Sequence, residues 1–285
     1  MAESPIRSRY VMAGRIRTHY SEAGHNGPPI VLLHGGGAGS SGEAGFGRIM
    51  PKLGEQLTVY ALDSVGGFGD TDVSYPATYG VQSRLEQLED FIDTLCLDEV
   101  CVGGNSQGAW VAARYAILHP DRIKKLILVA SSTIASAMGI RGEVTEGMRA
   151  LQAYDGTREA MVRVLQALIW DKSQITDELI DRRQAAATRP GAPEAREIFT
   201  RGTSRFQNDP NLSLNFQMKD TLPNLNIPTI FIWGEEDRFA PATLGRQLEK
   251  VLPKVPFHYV PNAGHQAQND QPAVVSKLML DFLTS

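Results

Sequence analysis

One stretch limits what this chain can fold into more than any other. Val100 to Ala116 reads VCVGGNSQGAWVAARYA. An apolar run, the turn Gly104-Asn105-Ser106-Gln107-Gly108 and a helix-like run follow one another directly. Glycines two before and two after a serine make room for a sharp strand-to-helix turn that lifts the hydroxyl clear of the backbone. The next helix then aims its first N–H groups at the same place. A chain with 27 glycines can hold such a pattern by chance. The strand before it and the helix after it make Ser106 a nucleophile rather than turn filler.

The rest of the chain supplies a matching frame. Short, nearly continuous apolar runs occur at Ile30–Gly35, Leu57–Asp63, Val100–Gly104, Lys125–Ser131, Thr229–Gly234 and Phe257–His265. Runs without alternation are strands covered on both faces. Helical spacing appears between them, as in Leu85, Leu88, Phe91, Ile92 and Leu95, in Ala109–Pro120, and again in Pro272–Leu283. Strand and helix in turn predict an α/β fold, a mostly parallel sheet flanked by helices. Alternation around Val11, Ile16 and Tyr20 predicts an edge hairpin. After Ser132 the rhythm breaks, and four helical segments (142–154, 157–170, 175–189 and 193–206) follow without a strand. The division is therefore 1–132 as the first part of a core, 133–221 as a helical cap insertion, and 222–285 as the second part of the core. Trp110, Trp170, Trp233, Phe68, Phe199 and Met138 could line a pocket between the two, but packing is the commoner fate of such residues.

Composition excludes several classes. The 285 residues carry a net charge of −4, with no surplus of Lys and Arg for phosphates, so no nucleic-acid partner is expected. No apolar run approaches a membrane span. The first residues contain Glu3 and lack an apolar core, so no signal peptide is read and a cytoplasmic location is expected. Cys96 and Cys101 form neither a disulfide framework nor a zinc spacing, and read as two small buried residues. There is no HExxH, and the glycine run GGGAGSSG lacks the GK[ST] of a phosphate loop. No metal or organic cofactor is expected.

A serine needs a base and an acid that orients the base. In a fold of this order they should follow it as acid, then histidine. Glu235, Glu236 and Asp237 come just after one strand, and His265 just after the last. Asp237 is the choice, four residues before Pro241 in a loop that can turn inward; Glu236 is the fallback. His19, His25, His119 and His258 fall at hairpin, turn, helix-end and strand positions. The backbone N–H of Gln107 and that of Gly36, in the glycine loop His34–Gly45, are the expected oxyanion donors.

Together, His34-Gly35, the Ser106 turn, Asp237 and Gly264-His265 resemble the α/β-hydrolase superfamily over nearly the whole chain. The HGGGAG loop, Asn105 before the nucleophile and the stretch Tyr154–Arg183 are similar to the meta-cleavage product hydrolases, which break a carbon–carbon bond in aromatic catabolism. That resemblance implies hydrolysis of a 2-hydroxy-6-oxohexa-2,4-dienoate. It implies that Arg183, beside Arg182, and Asn105 hold the carboxylate and oxo-enol end, with Gln266 also at the substrate. It also implies a homo-oligomer, a dimer or larger. The chain departs from the family at Gln266, usually Trp, at Gly45, usually Asn, and in Asp63–Asp72, one residue longer than usual. An esterase or lactonase with the same three residues is the alternative, and it needs no Arg183.

Overall fold

The computed structural model describes residues 4–285; Glu3, used in the leader argument, lies outside the described residues. Eight strands form one sheet: β1 (Arg7–Ala13), β2 (Ile16–Ala23), β3 (Pro29–Leu33), β4 (Thr58–Leu62), β5 (Val100–Asn105), β6 (Ile123–Val129), β7 (Thr229–Gly234) and β8 (Phe257–Val260). Their spatial order is β1-β2-β4-β3-β5-β6-β7-β8. The β1–β2 hairpin lies at one edge, antiparallel to itself and to β4, and every other pairing is parallel. The six predicted apolar runs are β3 to β8. The last was expected to reach His265 but ends at Val260, because Asn262 takes φ 55° and turns the chain out of the sheet.

All residues of β5 and β7 are buried, as two-sided coverage requires. Helices Val81–Thr94 and Gln107–Leu118 bury Leu85, Leu88, Phe91, Trp110, Val111 and Tyr115. Each fully buried aliphatic side chain there contributes about 1.5–3 kcal/mol. A helix over Ala242–Val251, not picked out from the sequence, covers Trp233 with Leu244, Gly245 and Leu248. The helix Val81–Thr94 ends in a Schellman arrangement, with Cys96 N–H on Asp93 O and Leu97 N–H on Ile92 O. Cys96 takes the left-handed position at φ 52° and is exposed, which corrects the expectation that both cysteines are buried; Cys101 is.

Among the described residues, only helices lie between β6 and β7. They divide by what they pack on. Helices Glu146–Gln152, Arg158–Leu168 and Asp177–Thr188 share a small apolar cluster built on Met161, Val164, Leu165, Leu168 and Ile180 with Phe239. Helix Ala192–Asn208 instead puts Phe199 and Phe206 into the main core, and Phe216 and Met218 follow them.

β3 runs on to β4 on one side and β5 runs on to β6 on the other, so the strand order reverses between β3 and β5. The carboxyl ends of such neighbours open a crevice where ligands bind.

Candidate active site

The crevice collects residues from four strand ends. Ser106 follows β5 at φ 58°, ψ −118°, a conformation rare for a non-glycine residue and costing about 1–3 kcal/mol. Three contacts hold it there: its N–H donates to Val129 O (2.9 Å), its carbonyl accepts from Ser131 Oγ (2.7 Å), and helix Gln107–Leu118 starts at once. Glycine is needed on either side, since a Cβ on Gly104 would lie 2.3 Å from Gly108 C, and one on Gly108 2.1 Å from Leu33 O.

Asp237 and His265 meet at the ends of β7 and β8. His265 Nδ1 and Asp237 Oδ2 are 2.7 Å apart, both side chains buried. The other carboxylate oxygen accepts from Phe239 N–H (2.7 Å) and Ala240 N–H (2.8 Å), which fixes the acid's rotamer. Phe239 stacks on the imidazole at 5.1 Å. Glu236 is used elsewhere, accepting from Ala263 N–H, and Glu235 pairs with Arg246. A carboxylate on Nδ1 leaves Nε2 as the nitrogen that can take a proton. Among the described residues nothing hydrogen-bonds His265 Nε2, and no bond joins it to the Ser106 hydroxyl. Both residues line one cavity of about 180 Å³.

That cavity is also lined by Gly35, Gly36, Asn105, Gln107 and Gln266, and by an apolar wall of Met148, Leu151, Val164, Leu168 and Phe239. The wall residues were not read from the sequence. None of the six aromatic and Met candidates lines it; Trp110, Trp233, Phe68 and Phe199 lie in the core. Gly36 sits against the Gln107 side chain, where a Cβ would come 2.0 Å from Oε1.

Asn105 was expected to hold substrate. It lines the cavity, and its Nδ2 donates to Val129 O (3.3 Å) and His265 O (3.0 Å), so its amide protons also tie β5 to the histidine loop. The loop has a second clamp that the sequence did not reveal. Asp270 accepts from Gly264 N–H (2.7 Å) and from Trp170 N–H, and burial pushes its carboxyl up.

Arg183 does not line the cavity. It is 2% exposed, donates to Gly39 O (3.1 Å), and its Nη2 lies 3.4 Å from Gln266 Oε1. No carboxylate pairs with it among the described residues, and its Nε has no partner. Burial and the neighbouring Arg182 lower its pKa to about 10, so it stays charged at neutral pH. Gln266 faces both this cavity and a larger hollow of about 500 Å³ that Arg183, Arg182 and Arg48 line.

Asp63, at the start of the lengthened Asp63–Asp72 segment, forms a second buried histidine–carboxylate pair. His19 Nδ1 lies 2.7 Å from Asp63 Oδ2, and with Asp70 these groups fall within 4.8 Å of one another. Asp63 also accepts from Gly42 N–H and Asp70 N–H, and His19 Nε2 meets Ser8 Oγ at 2.8 Å. The ligand atoms of His19 and Asp63 are thus spent on the fold. Among the described residues no helix is long and apolar enough to cross a membrane.

Known proteins resemble this chain over nearly their whole length. The profile of the alpha/beta hydrolase fold family matches residues 28–272. The chain is similar to the 2-hydroxy-6-oxo-2,4-heptadienoate hydrolase of Pseudomonas putida strain F1, at 32% identity over 97% of this chain and 96% of that one. It is similar to the 2-hydroxy-6-oxo-6-(2'-aminophenyl)hexa-2,4-dienoic acid hydrolase of Metapseudomonas resinovorans, at 30% over 99% and 93%. Among solved structures it resembles a meta-cleavage product hydrolase from Pseudomonas fluorescens IP01, with a TM-score of 0.80 and 27% identity over 97% of each chain. The chain is a hydrolase of the α/β-hydrolase family, grouped within it with the meta-cleavage product hydrolases.

Proposed function

We propose that this enzyme cleaves a carbon–carbon bond in a vinylogous 1,5-diketone, a 2-hydroxy-6-oxohexa-2,4-dienoate carrying an alkyl or aryl group. The observation that carries the reading is Arg183, a buried guanidinium without a carboxylate, standing behind the polar wall of the Ser106 cavity. A buried cation is costly unless an anion meets it. A substrate carboxylate at the Gln266 end supplies that anion. The apolar wall from Met148 to Phe239 suits the group at the other end. The substrates named for the relatives are acids of this class.

In the proposed sequence the dienol first becomes a ketone, with His265 moving the proton. Ser106 Oγ, losing its proton to His265 Nε2, adds to the far carbonyl. Gly36 and Gln107 N–H groups hold the resulting oxyanion. The carbon–carbon bond then breaks, its electron pair passing into the ketone to give an enolate that is protonated. Water, deprotonated by His265, releases the acid from Ser106. Asp237 keeps the imidazole in the tautomer these steps need. Residues 133–221 act as the cap over cores 1–132 and 222–285, in a cytoplasmic homo-oligomer of two or more copies; sedimentation measures the last point.

The test is visible absorbance. A yellow ring-cleavage dienoate should bleach rapidly with the wild type and not with Ser106→Ala. A stable yellow colour beside rapid cleavage of a p-nitrophenyl ester overturns the carbon–carbon reading in favour of an esterase or lactonase. Arg183→Gln should slow dienoate turnover while leaving ester turnover nearly intact.

A further inference from the structure

A second buried guanidinium lies on the far side of the glycine loop. Arg84, in helix Val81–Thr94, is 1% exposed and pairs with no carboxylate among the described residues. Its Nη1 donates to His34 O (3.2 Å) and its Nη2 lies 3.5 Å from Gly35 O. Its Cζ sits over two aromatic faces, Phe68 at 4.3 Å and Phe199 at 4.7 Å, the latter on helix Ala192–Asn208. Its Nε has no partner. Burial lowers its pKa to about 9, which still leaves it charged at neutral pH.

An uncompensated buried charge is a poor way to stabilise a fold, since apolar replacements of buried ions are often neutral or stabilising. What it touches explains its presence better. The carbonyl of Gly35 and the N–H of Gly36 belong to one peptide unit. That carbonyl also accepts from His34 Nδ1 at 2.6 Å, because Ser64 N–H donates to His34 Nε2 (3.0 Å) and leaves the ring proton on Nδ1. Burial and the Arg84 charge hold His34 well below its usual pKa, so it stays neutral and keeps this tautomer. Donors on a carbonyl polarise its amide and strengthen the N–H on the other end.

We infer that Arg84 is a positioning residue for the oxyanion step: from behind the loop it fixes and polarises the Gly35–Gly36 peptide, so that Gly36 N–H becomes a stronger donor as negative charge develops. The inference rests on Gly36 being an oxyanion donor to Ser106. Arg84 never touches substrate. It acts through the peptide, and its positive charge adds to the field felt by the oxyanion.

The experiment compares wild type, Arg84→Met and Arg84→Lys. Each is titrated for folded protein by its thermal transition, and rates are expressed per folded molecule. Two readouts are used: the rate of Ser106 labelling by a fluorophosphonate, which builds oxyanion-like charge on its phosphoryl oxygen, and kcat and KM on the dienoate and on a p-nitrophenyl ester. Arg84→Met should lose about tenfold in labelling rate and in kcat, a fraction of what deleting an oxyanion donor outright costs, with KM within about twofold. Arg84→Lys, which keeps the charge but lacks the fork, should recover part of the loss. A merely structural role would lower the melting temperature and the yield and leave the rate per folded molecule unchanged, and that result overturns the inference while leaving Ser106 in place. If Arg84→Met does not fold, Arg84→Lys decides alone: a wild-type labelling rate overturns the inference and a reduced one supports it. A wild type that the fluorophosphonate does not label overturns the Ser106 assignment, and this inference with it.

Discussion

Two buried histidine–aspartate pairs lie near the same glycine loop, and their hydrogen bonds have the same length. His265 Nδ1 to Asp237 and His19 Nδ1 to Asp63 both measure 2.7 Å. The second even has a serine on its far nitrogen, Ser8 Oγ at 2.8 Å, where Ser106 makes no such bond. By distances alone, Ser8, His19 and Asp63 form the better-connected trio. What sets the pairs apart is what surrounds the serine. Ser8 lies on an exposed edge strand with ordinary backbone. Ser106 sits at a strained turn, at the start of a helix, facing a cavity that glycines also line. Asp63 spends its remaining capacity on Gly42 and Asp70 N–H groups, which makes it a staple for the loop. By these surroundings Ser106, and not Ser8, fits the proposed nucleophile.

The comparison breaks most directly at the serines. Ser106→Ala should cut kcat by on the order of 10⁵- to 10⁶-fold, whereas Ser8→Ala should stay within about twofold of wild type. Dienoate bleaching measures both, and comparable losses would erase the distinction. The acids come next. Asp237→Asn should lower kcat by about 10⁴-fold with little change in melting temperature, through the wrong histidine tautomer. Asp63→Asn should lower the melting temperature by several degrees instead, with kcat per folded molecule nearly intact. Arg183→Gln sharpens the contrast between substrates: dienoate kcat/KM should fall by about tenfold to a hundredfold, the worth of a charge-assisted hydrogen bond, while ester kcat/KM holds.

The smallest effect is in stability against pH. Burial works against the charged form of His19, but the Asp63 carboxylate outweighs it and raises the pKa above 6.5. His19 therefore binds its proton more tightly folded than unfolded. Its stabilisation is fully present below 6.5 and is lost as pH rises through the folded value. His34 has the opposite sign: its folded pKa is far below 6.5, so stability is lost as pH falls from 6.5. Removing His19 as His19→Gln should thus steepen the acid-side loss seen in urea titrations between pH 7.5 and 5. An unchanged slope would show that His19 does not carry that compensation.

The same contrast explains what could be read from the sequence. That Ser106, Asp237 and His265 meet at one crevice was legible because each sits just past an apolar strand, where the order of elements dictates where a loop must point. The strands were legible because burial on both faces leaves them almost free of polar residues. The cavity wall was not, because Met148, Leu151, Val164 and Leu168 sit on helices whose packing is set by partners far along the chain. The structural ties of Asn105 were not legible, since its neighbours in sequence say nothing of the carbonyl of His265, 160 positions away. Arg84 left a faint signal. It lies four residues before Leu88 and seven before Phe91, on the apolar stripe and not the wet one. A charge on a buried stripe marks a group held for electrostatics.

The helical layer is tied directly to the histidine loop. The N–H of His265 donates to Leu168 O, at the end of helix Arg158–Leu168, and Trp170 N–H shares Asp270 with Gly264. The loop that carries His265 thus hangs from the helical layer as well as from the sheet. If that layer acts as the proposed cap and lifts to admit substrate, a histidine loop tied to it by these bonds would move with it. Ser106 and His265 would then come into register only on closing, and the entry of substrate and the readiness of the proposed base would be one event.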